Sequence, residues 1–239
     1  QHLHNEFSSM KNMKLKVIAF DADDTLFVNE PYFQETEQKF CALMSDYLSH
    51  QGLSQELFKT EIENLDLYGY GIKGYILSMI EAAMRISNNT ISIEIVEKII
   101  ELGKELLQKP IELLDGVEDT LKALQGKYKL VVATKGDLKD QQSKLHRSGL
   151  GPYFHHIEVM ADKQEINYQK LLKRLEIEPH EFFMIGNSLK SDVLPVLAIG
   201  GHAVHIPFHT TWEHEKISHK VEHPNFKTLE KITDVLKLL

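Results

Sequence analysis

Polar side chains able to do chemistry follow short apolar runs at four places along this chain. These side chains are Asp21, Asp23, Thr134, Lys135, Lys163, Asn187 and Asp192. Each apolar run has the length and residue types of a buried strand. Because the carboxyl ends of parallel strands meet at one edge of a sheet, we expect these polar side chains to lie close together.

Such a cluster combines three carboxylates with a carboxamide, a hydroxyl and the ammonium groups of two lysines. Asp21 and Asp23 repel each other, and burying unpaired charge is costly. A divalent cation resolves this conflict, and oxygen ligands without thiolate or imidazole suit Mg²⁺. The cation leaves positions for water and a phosphate group. The residue types therefore indicate phosphoryl transfer, in which charge neutralisation and positioning supply most of the catalysis.

Strands and helices are predicted to alternate after Pro110. The predicted strands are 16–20, before this region, and 129–133, 156–160, 182–185 and 203–206. The predicted helices are 116–124, 138–148, 165–175, 190–199 with a kink at Pro195, and a closing helix over 226–239. This alternation predicts an α/β fold with a parallel sheet and right-handed crossovers.

Residues 30–110 interrupt this pattern with helical periodicity alone. The clearest stripe lies between Glu94 and Leu107, where apolar residues recur at helical spacing. This insert leaves the core directly after the first strand, at the edge where the polar residues are expected. We therefore expect it to lie over the site.

Four segments resemble the ordered motifs of the haloacid dehalogenase superfamily. The segment Phe20-Asp21-Ala22-Asp23-Asp24-Thr25-Leu26 resembles the first motif, Asp-x-Asp-x-Thr after an apolar strand. Thr134-Lys135-Gly136 resembles the second motif, and Lys163 resembles the lysine of the third. The segment 186–192, Gly-Asn-Ser-Leu-Lys-Ser-Asp, resembles the fourth. The resemblance covers residues 14–239.

This resemblance implies a Rossmann-like parallel-sheet core, residues 14–29 and 111–239, with an inserted α-helical cap domain over residues 30–110. Residues 1–13 are predicted to be a flexible leader. The implied activity is Mg²⁺-dependent hydrolysis of a small phosphorylated metabolite.

The resemblance also implies a role for each motif residue. Asp21 is the nucleophile that forms an aspartyl-phosphate, and Asp23 is the general acid and then the general base. Phosphate binding is implied for Thr134, Lys135 and Lys163. Metal binding is implied for Asp21, the main-chain carbonyl of Asp23, Asn187 and Asp192.

Two residues depart from the motifs. Lys135 stands where the superfamily commonly has Asn, and Asn187 stands where it has Asp. The carboxamide oxygen of Asn187 can ligate Mg²⁺ but brings no charge. We therefore expect weaker metal binding, with Asp192 carrying more of the electrostatic load, directly or through water.

Composition narrows the functional classes. The chain has 239 residues and a formal net charge of −8, which argues against a general nucleic-acid-binding protein. Cys41 is the only cysteine, so neither an internal disulfide nor a cysteine metal cage is possible. No apolar run is long enough to span a bilayer, and the N-terminal segment lacks the apolar stretch of a secretory signal. We expect a cytoplasmic protein that does not bind membranes.

Three other functions stay open on sequence grounds. A phosphomutase of the same superfamily would share all four motifs. A non-catalytic protein that binds a phosphorylated ligand could retain the fold, and Asn187 favours this alternative. Dehalogenation of a 2-haloacid is disfavoured, because dehalogenases of this superfamily lack an acid at the position of Asp23.

Residues 202–223 contain six histidines, His202, His205, His209, His214, His219 and His223, and the lone tryptophan, Trp212. The histidine spacings match no zinc-binding signature, so solvated or core histidines are expected. The segment Thr211-Trp212-Glu213-His214-Glu215 is expected to anchor a loop.

Overall fold

The computed structural model describes residues 13–239. Most of the predicted leader, residues 1–12, therefore lies outside the described residues. Met13 packs against the hydrophobic core. Within the described range, no helix combines the length and apolar character needed to cross a bilayer.

A six-stranded sheet forms the centre of the α/β unit. Its strands are β1 (Val17–Phe20), β2 (Lys129–Lys135), β3 (His156–Met160), β4 (Phe182–Gly186), β5 (His202–His205) and β6 (Phe226–Thr228). Their spatial order is β3-β2-β1-β4-β5-β6. Strand β1 pairs in parallel with β2 and β4, and β4–β5 and β5–β6 are also parallel. The predicted α/β fold with a Rossmann-like parallel sheet is therefore confirmed.

Successive side chains along the strands pack alternately into two separate hydrophobic cores, one on each face of the sheet. Ile18 and Phe20 of β1 point to one face, where they meet helix α5 (Val117–Leu124). Val17 and Ala19 point to the other face, which is covered by helix α7 (Glu165–Leu175). Both faces of the sheet are thus buried, which explains why its strands read as continuous apolar runs in the sequence.

The register of the central strands fixes the height of the polar residues. Phe20 of β1 is level with Val132 of β2 and with Ile185 of β4. The residues that follow these three positions therefore emerge at the same edge of the sheet. Asp21 is fixed there by its main-chain N–H, which donates to the oxygen of Ile185 at 2.9 Å.

The chain divides into two compact units. The α/β unit comprises residues up to 30, 111–134 and 141–239, and the helical unit comprises 31–110 and 135–140. The predicted boundaries differ from this division because they leave the short segment 135–140 in the core. This segment connects β2 to helix α6 (Leu138–Arg147).

Four helices make up most of the helical unit: α1 (Glu30–Leu43), α2 (His50–Tyr68), α3 (Ile72–Ile86) and α4 (Ile93–Leu107). Ser49 and Ser92 cap α2 and α4 through their side-chain oxygens. The helices enclose their own core, which includes Phe40, Leu57 and Met79.

The predicted closing helix over 226–239 is wrong. Residues Phe226–Thr228 instead form edge strand β6 beside β5, and Ile232–Lys237 form a 3₁₀-helix. Ile232, Val235 and Leu238 recur every three residues and are all buried. That spacing matches the three residues per turn of a 3₁₀-helix, so the apolar stripe fits the tighter helix.

The predicted helix over 190–199 is present in two parts. Leu189–Val193 form a π-helical turn, and helix α8 covers Leu194–Ala198. Pro195 has no N–H to donate, so it is tolerated in the first turn of α8 but not inside a longer helix. The main-chain N–H of Leu194 donates instead to the oxygen of Leu189, five residues back.

Candidate active site

Asp21 lies at the end of β1 in a buried ionic cluster. The ammonium of Lys163 donates to Oδ1 of Asp21 and to Oδ1 of Asp192, each at 2.7 Å. The exposed fractions of Asp21, Lys163 and Asp192 are 8%, 4% and 1%. The structure therefore brings three of the predicted site residues into direct contact.

The charges of this cluster depend on one another. Burial raises the pKa of Asp21, the Asp192 carboxylate raises it further, and the Lys163 ammonium opposes both. Burial lowers the pKa of Lys163, but Asp192 and Asp21 outweigh this effect and raise it well above its ordinary value. One ammonium thus serves two buried carboxylates, which leaves room for a further cation to stabilise the ionised nucleophile.

A glycine allows Asp192 to reach this position. A Cβ atom on Gly186 would lie only 2.1 Å from Oδ2 of Asp192, so a side chain there would displace the carboxylate. Oδ2 of Asp192 accepts the main-chain N–H of Ser188 at 3.0 Å. Since Oδ1 is held by Lys163, both oxygens of Asp192 already have protein donors.

Asn187 approaches the first motif from the end of β4. In the amide orientation that satisfies its hydrogen bonds, Nδ2 lies 2.7 Å from Oδ2 of Asp21 and 3.1 Å from the main-chain oxygen of Asp23. The hydroxyl of Thr25 is 3.3 Å away. The side chain of Asn187 therefore meets two of the three other groups predicted to hold a metal ion, Asp21 and the main-chain oxygen of Asp23.

The groups that could ligate a metal ion here are of different chemical types. Among residues 13–239, no group of three or more His, Cys, Asp or Glu side chains is arranged to hold a metal ion. The converging groups are instead one carboxylate, one main-chain carbonyl and one carboxamide. Such a set fits Mg²⁺, which takes oxygen ligands, keeps several of its waters and needs no complete protein cage.

The side chain of Asp23 turns toward helix α6. Its Oδ1 accepts from the ammonium of Lys144 at 2.6 Å, and its Oδ2 accepts from Nε2 of Gln141 at 2.9 Å. Both partners are buried. Sequence reasoning missed them, although their spacing of three residues in a predicted helix placed them on the same face.

The side chain of Asp24 binds main-chain groups. Its carboxylate accepts the main-chain N–H groups of Asn29 at 2.7 Å and of Glu30 at 3.0 Å, at the start of α1. Burial raises its pKa to about 7, with a further contribution from Asp23. The carboxylate of Asp24 therefore satisfies two main-chain N–H groups at the start of α1.

The two remaining phosphate-binding candidates follow each other at the end of β2. Thr134 is buried. The ammonium of Lys135 lies 4.0 Å from the ring centroid of Tyr70, a cation–π contact within the helical unit. The phosphate-binding roles of Thr134 and Lys135 stay predictions.

A C-terminal loop anchors the fourth motif. Oε2 of Glu215 accepts the hydroxyls of Ser188 and Ser191, and Lys190 donates to the main-chain oxygen of His214 at 2.8 Å. His205 adds a contact from β5, with Nε2 2.9 Å from the main-chain oxygen of Asn187. Glu215 is the second contribution that the sequence did not identify as part of the site.

Comparison with protein-family models matches residues 15–200 to the haloacid dehalogenase-like hydrolases. A solved haloacid dehalogenase-like family hydrolase from Xanthomonas campestris is 35% identical, with a TM-score of 0.85. The alignment covers 95% of this chain and 93% of that one. A search of curated proteins finds no significant match.

Two more distant structures share the fold. A predicted phosphoglycolate phosphatase from Haemophilus somnus is 16% identical, with a TM-score of 0.61 and coverage of 95% of this chain and 99% of that one. An L-2-haloacid dehalogenase from Xanthobacter autotrophicus is 13% identical, with a TM-score of 0.65 and coverage of 94% and 98%. Since the motifs, the sheet and the family comparison agree, this chain belongs to the haloacid dehalogenase-like hydrolases.

Proposed function

We propose that this protein is a Mg²⁺-dependent phosphatase that hydrolyses a small phosphorylated metabolite through an aspartyl-phosphate at Asp21. The observation that carries the proposal is the approach of Asn187 to Oδ2 of Asp21 and to the main-chain oxygen of Asp23. With the amide turned so that Oδ1 takes the position of Nδ2, where it accepts from the hydroxyl of Thr25, these three groups would offer a divalent cation three oxygen ligands directly beside the nucleophile. Members of this superfamily commonly use Mg²⁺.

Asp21 carries out the first displacement. One carboxylate oxygen forms a bond to phosphorus while the bond from phosphorus to the leaving oxygen breaks. Asp23 donates a proton to that leaving oxygen. In the second step, Asp23 accepts a proton from water as the water attacks phosphorus and releases Asp21 and inorganic phosphate.

Lys163 balances charge in both steps. Lys163 neutralises part of the charge of Asp21 and Asp192 and offers its ammonium to a phosphoryl oxygen. Mg²⁺, when bound, would supply the remaining positive charge that an anionic phosphoryl group needs. Asp192 contributes through Lys163 and through its fixed negative charge.

The presence of Asp23 favours a phosphatase over a dehalogenase. Halide leaves without a proton, whereas an alkoxide leaving group needs an acid. A dehalogenase would have no use for a carboxylate two residues after the nucleophile. The same position serves the proposed reaction in both of its steps.

A substrate panel tests the proposal. Sugar phosphates, nucleotides, small acid phosphates and 2-haloacids would be incubated with the protein, with Mg²⁺ and with a chelator, and phosphate and halide release measured. We expect phosphate release that disappears with the chelator and returns with Mg²⁺. Halide release, or phosphate release that is unchanged by the chelator, would overturn the proposal. Asp21→Asn serves as the inactive control.

A further inference from the structure

Helix α6 holds the carboxylate of Asp23 at both of its oxygens. Lys144 Nζ lies 2.6 Å from Oδ1, and Gln141 Nε2 lies 2.9 Å from Oδ2. These donors are three residues apart and therefore share a face of the helix. They act on Asp23 across more than a hundred residues of sequence, so the contact is a property of the tertiary fold.

Burying the charged ammonium of Lys144 at this position costs free energy. It is only 8% exposed, and its ammonium also lies 3.2 Å from Oδ1 of Asn29 and 5.4 Å from the ring centroid of Phe27. A buried ion pair is often no more stable than well-packed apolar side chains of similar volume. Stability therefore gives no sufficient reason for a lysine at this position.

The geometry of Asp23 supplies a reason. Its main-chain oxygen lies 3.1 Å from the amide of Asn187, while its side chain points to α6. The main chain of Asp23 thus contacts Asn187, one of the proposed metal-binding groups, and its carboxylate contacts helix α6. A carboxylate held at two oxygens has a fixed rotamer, and reactions that need a near-attack geometry lose rate when a catalytic group is displaced by about 1 Å.

We infer that Lys144 and Gln141 are positioning residues, which hold the carboxylate of Asp23 in place for its two proton transfers. The inference rests on the proposed phosphatase function. Both residues act through the carboxylate of Asp23, which they hold by hydrogen bonds. Their removal affects the steps in which Asp23 takes part and leaves the nucleophile Asp21 and its ionic partners unchanged.

The effect on rate depends on the step. With p-nitrophenyl phosphate, the leaving group departs with little protonation, so formation of the phosphoenzyme needs Asp23 least. Breakdown of the phosphoenzyme needs Asp23 as the base for water. Lys144→Met is therefore expected to slow breakdown about ten- to a hundredfold, a part of the roughly hundred- to ten-thousandfold that general acid–base catalysis contributes. Formation is expected to change less than about threefold, since it needs so little of that contribution.

A double-mutant cycle tests this inference. Rapid-quench kinetics with Mg²⁺ and p-nitrophenyl phosphate would compare the wild type, Lys144→Met, Asp23→Asn and the double variant. If Lys144 acts through Asp23, adding Lys144→Met to Asp23→Asn changes breakdown by less than about twofold. An equal loss in both backgrounds would show a role independent of Asp23 and would overturn the inference.

Two further variants complete the design. Gln141→Leu removes the second donor without removing a charge and is expected to slow breakdown by a smaller factor in the same step. Lys139→Met changes an exposed lysine of the same helix and is expected to leave both steps unchanged. Slower formation and breakdown in equal measure for Lys144→Met would contradict the inference. A wild type that forms no phosphoenzyme would instead contradict the proposed function.

Discussion

Two pairs of carboxyls in this molecule, one buried and one half-buried, differ in how the fold offsets the cost of removing them from water. In the α/β unit, Asp21 and Asp192 share the ammonium of Lys163. In the helical unit, burial and, as a smaller cause, the Glu37 carboxylate raise the pKa of Glu61 to about 8. Neither of these two glutamates forms an ion pair or a side-chain hydrogen bond with any of residues 13–239.

The difference lies in the counter-charge that opposes the rise in the pKa of Asp21. A nucleophilic carboxylate must be ionised to attack phosphorus, so an ammonium beside it has a chemical purpose. A glutamate between helices has no such requirement and can bind a proton instead. Asp21 therefore has a counter-charge that opposes the rise in its pKa, whereas burial and Glu37 both raise the pKa of Glu61.

Removal of the shared Lys163 ammonium should have the largest effect of the changes predicted for these carboxyls. Lys163→Met leaves Asp21 and Asp192 buried without a counter-ion, and we expect a loss of about 3–5 kcal/mol in the free energy of unfolding. Urea denaturation measures the loss, with Lys170→Met, an exposed lysine of α7, as the control. A loss no larger than that of the control would mean that the cluster does not depend on the ammonium.

Glu61 should show the opposite behaviour, with a dependence on pH. Its folded-state pKa lies above its ordinary value of 4.5, so its contribution to stability is complete below pH 4.5 and is lost as the pH rises to about 8. Glu61→Gln should match the wild type near pH 4.5 and be more stable at pH 8, by about 1–3 kcal/mol after solvent screening.

Thermal or urea unfolding at the two pH values measures this change. Glu63→Gln, an exposed position on the same helix, is the matched control. A gain for Glu61→Gln that is equal at both pH values would show that Glu61 remains ionised throughout.

Much of the fold was predictable from local sequence patterns, and the parts that were not have physical causes. The apolar runs before Asp21 and before Gly186 revealed β1 and β4, because strands buried on both faces need continuous apolar residues. Strand β6 was missed because three residues are too few to show a strand pattern. Its formation depends on the open edge of β5, which no local pattern reveals.

The candidate site likewise contains residues that the sequence predicted and residues that it did not. Asp21, Lys163 and Asp192 were predicted because each directly follows, or lies just past, a strand end. Lys144 and Gln141 were not, since a helix face acquires its partner only when the chain is folded. The orientation of the Asp192 carboxylate toward Lys163 also depends on side-chain packing that spacing alone does not determine.

A substitution at Asn187 would restore the negative charge that the fourth motif of this chain lacks. Asn187→Asp should tighten Mg²⁺ binding roughly tenfold, because it places a second carboxylate on a hard cation. Without Mg²⁺ the variant should be less stable, since an amide that can donate to Asp21 becomes a repelling carboxylate. Calorimetric Mg²⁺ titration measures the affinity. Equal or weaker affinity would place Asn187 outside the metal-binding set.

Glu215 should give the smallest effect. Glu215→Gln keeps one acceptor for the hydroxyls of Ser188 and Ser191 but removes the charge. We expect a loss of about 1 kcal/mol in stability and a fall of about two- to fivefold in Mg²⁺ affinity as the loop of Asn187 loosens. Glu213→Gln, an exposed neighbour, is the control for both measurements. A Mg²⁺ affinity equal to that of the control would separate the loop from the metal-binding groups.

The central claim is that water attacks phosphorus on Asp21, and a single turnover in ¹⁸O-labelled water tests it most directly. The protein would react in excess over p-nitrophenyl phosphate with Mg²⁺, and mass spectrometry would measure ¹⁸O in inorganic phosphate and in the peptide that contains Asp21. We predict one ¹⁸O atom in the phosphate and none in Asp21. Incorporation of ¹⁸O into the Asp21 carboxylate would show attack at carbon, as in ester hydrolysis, and would contradict the account.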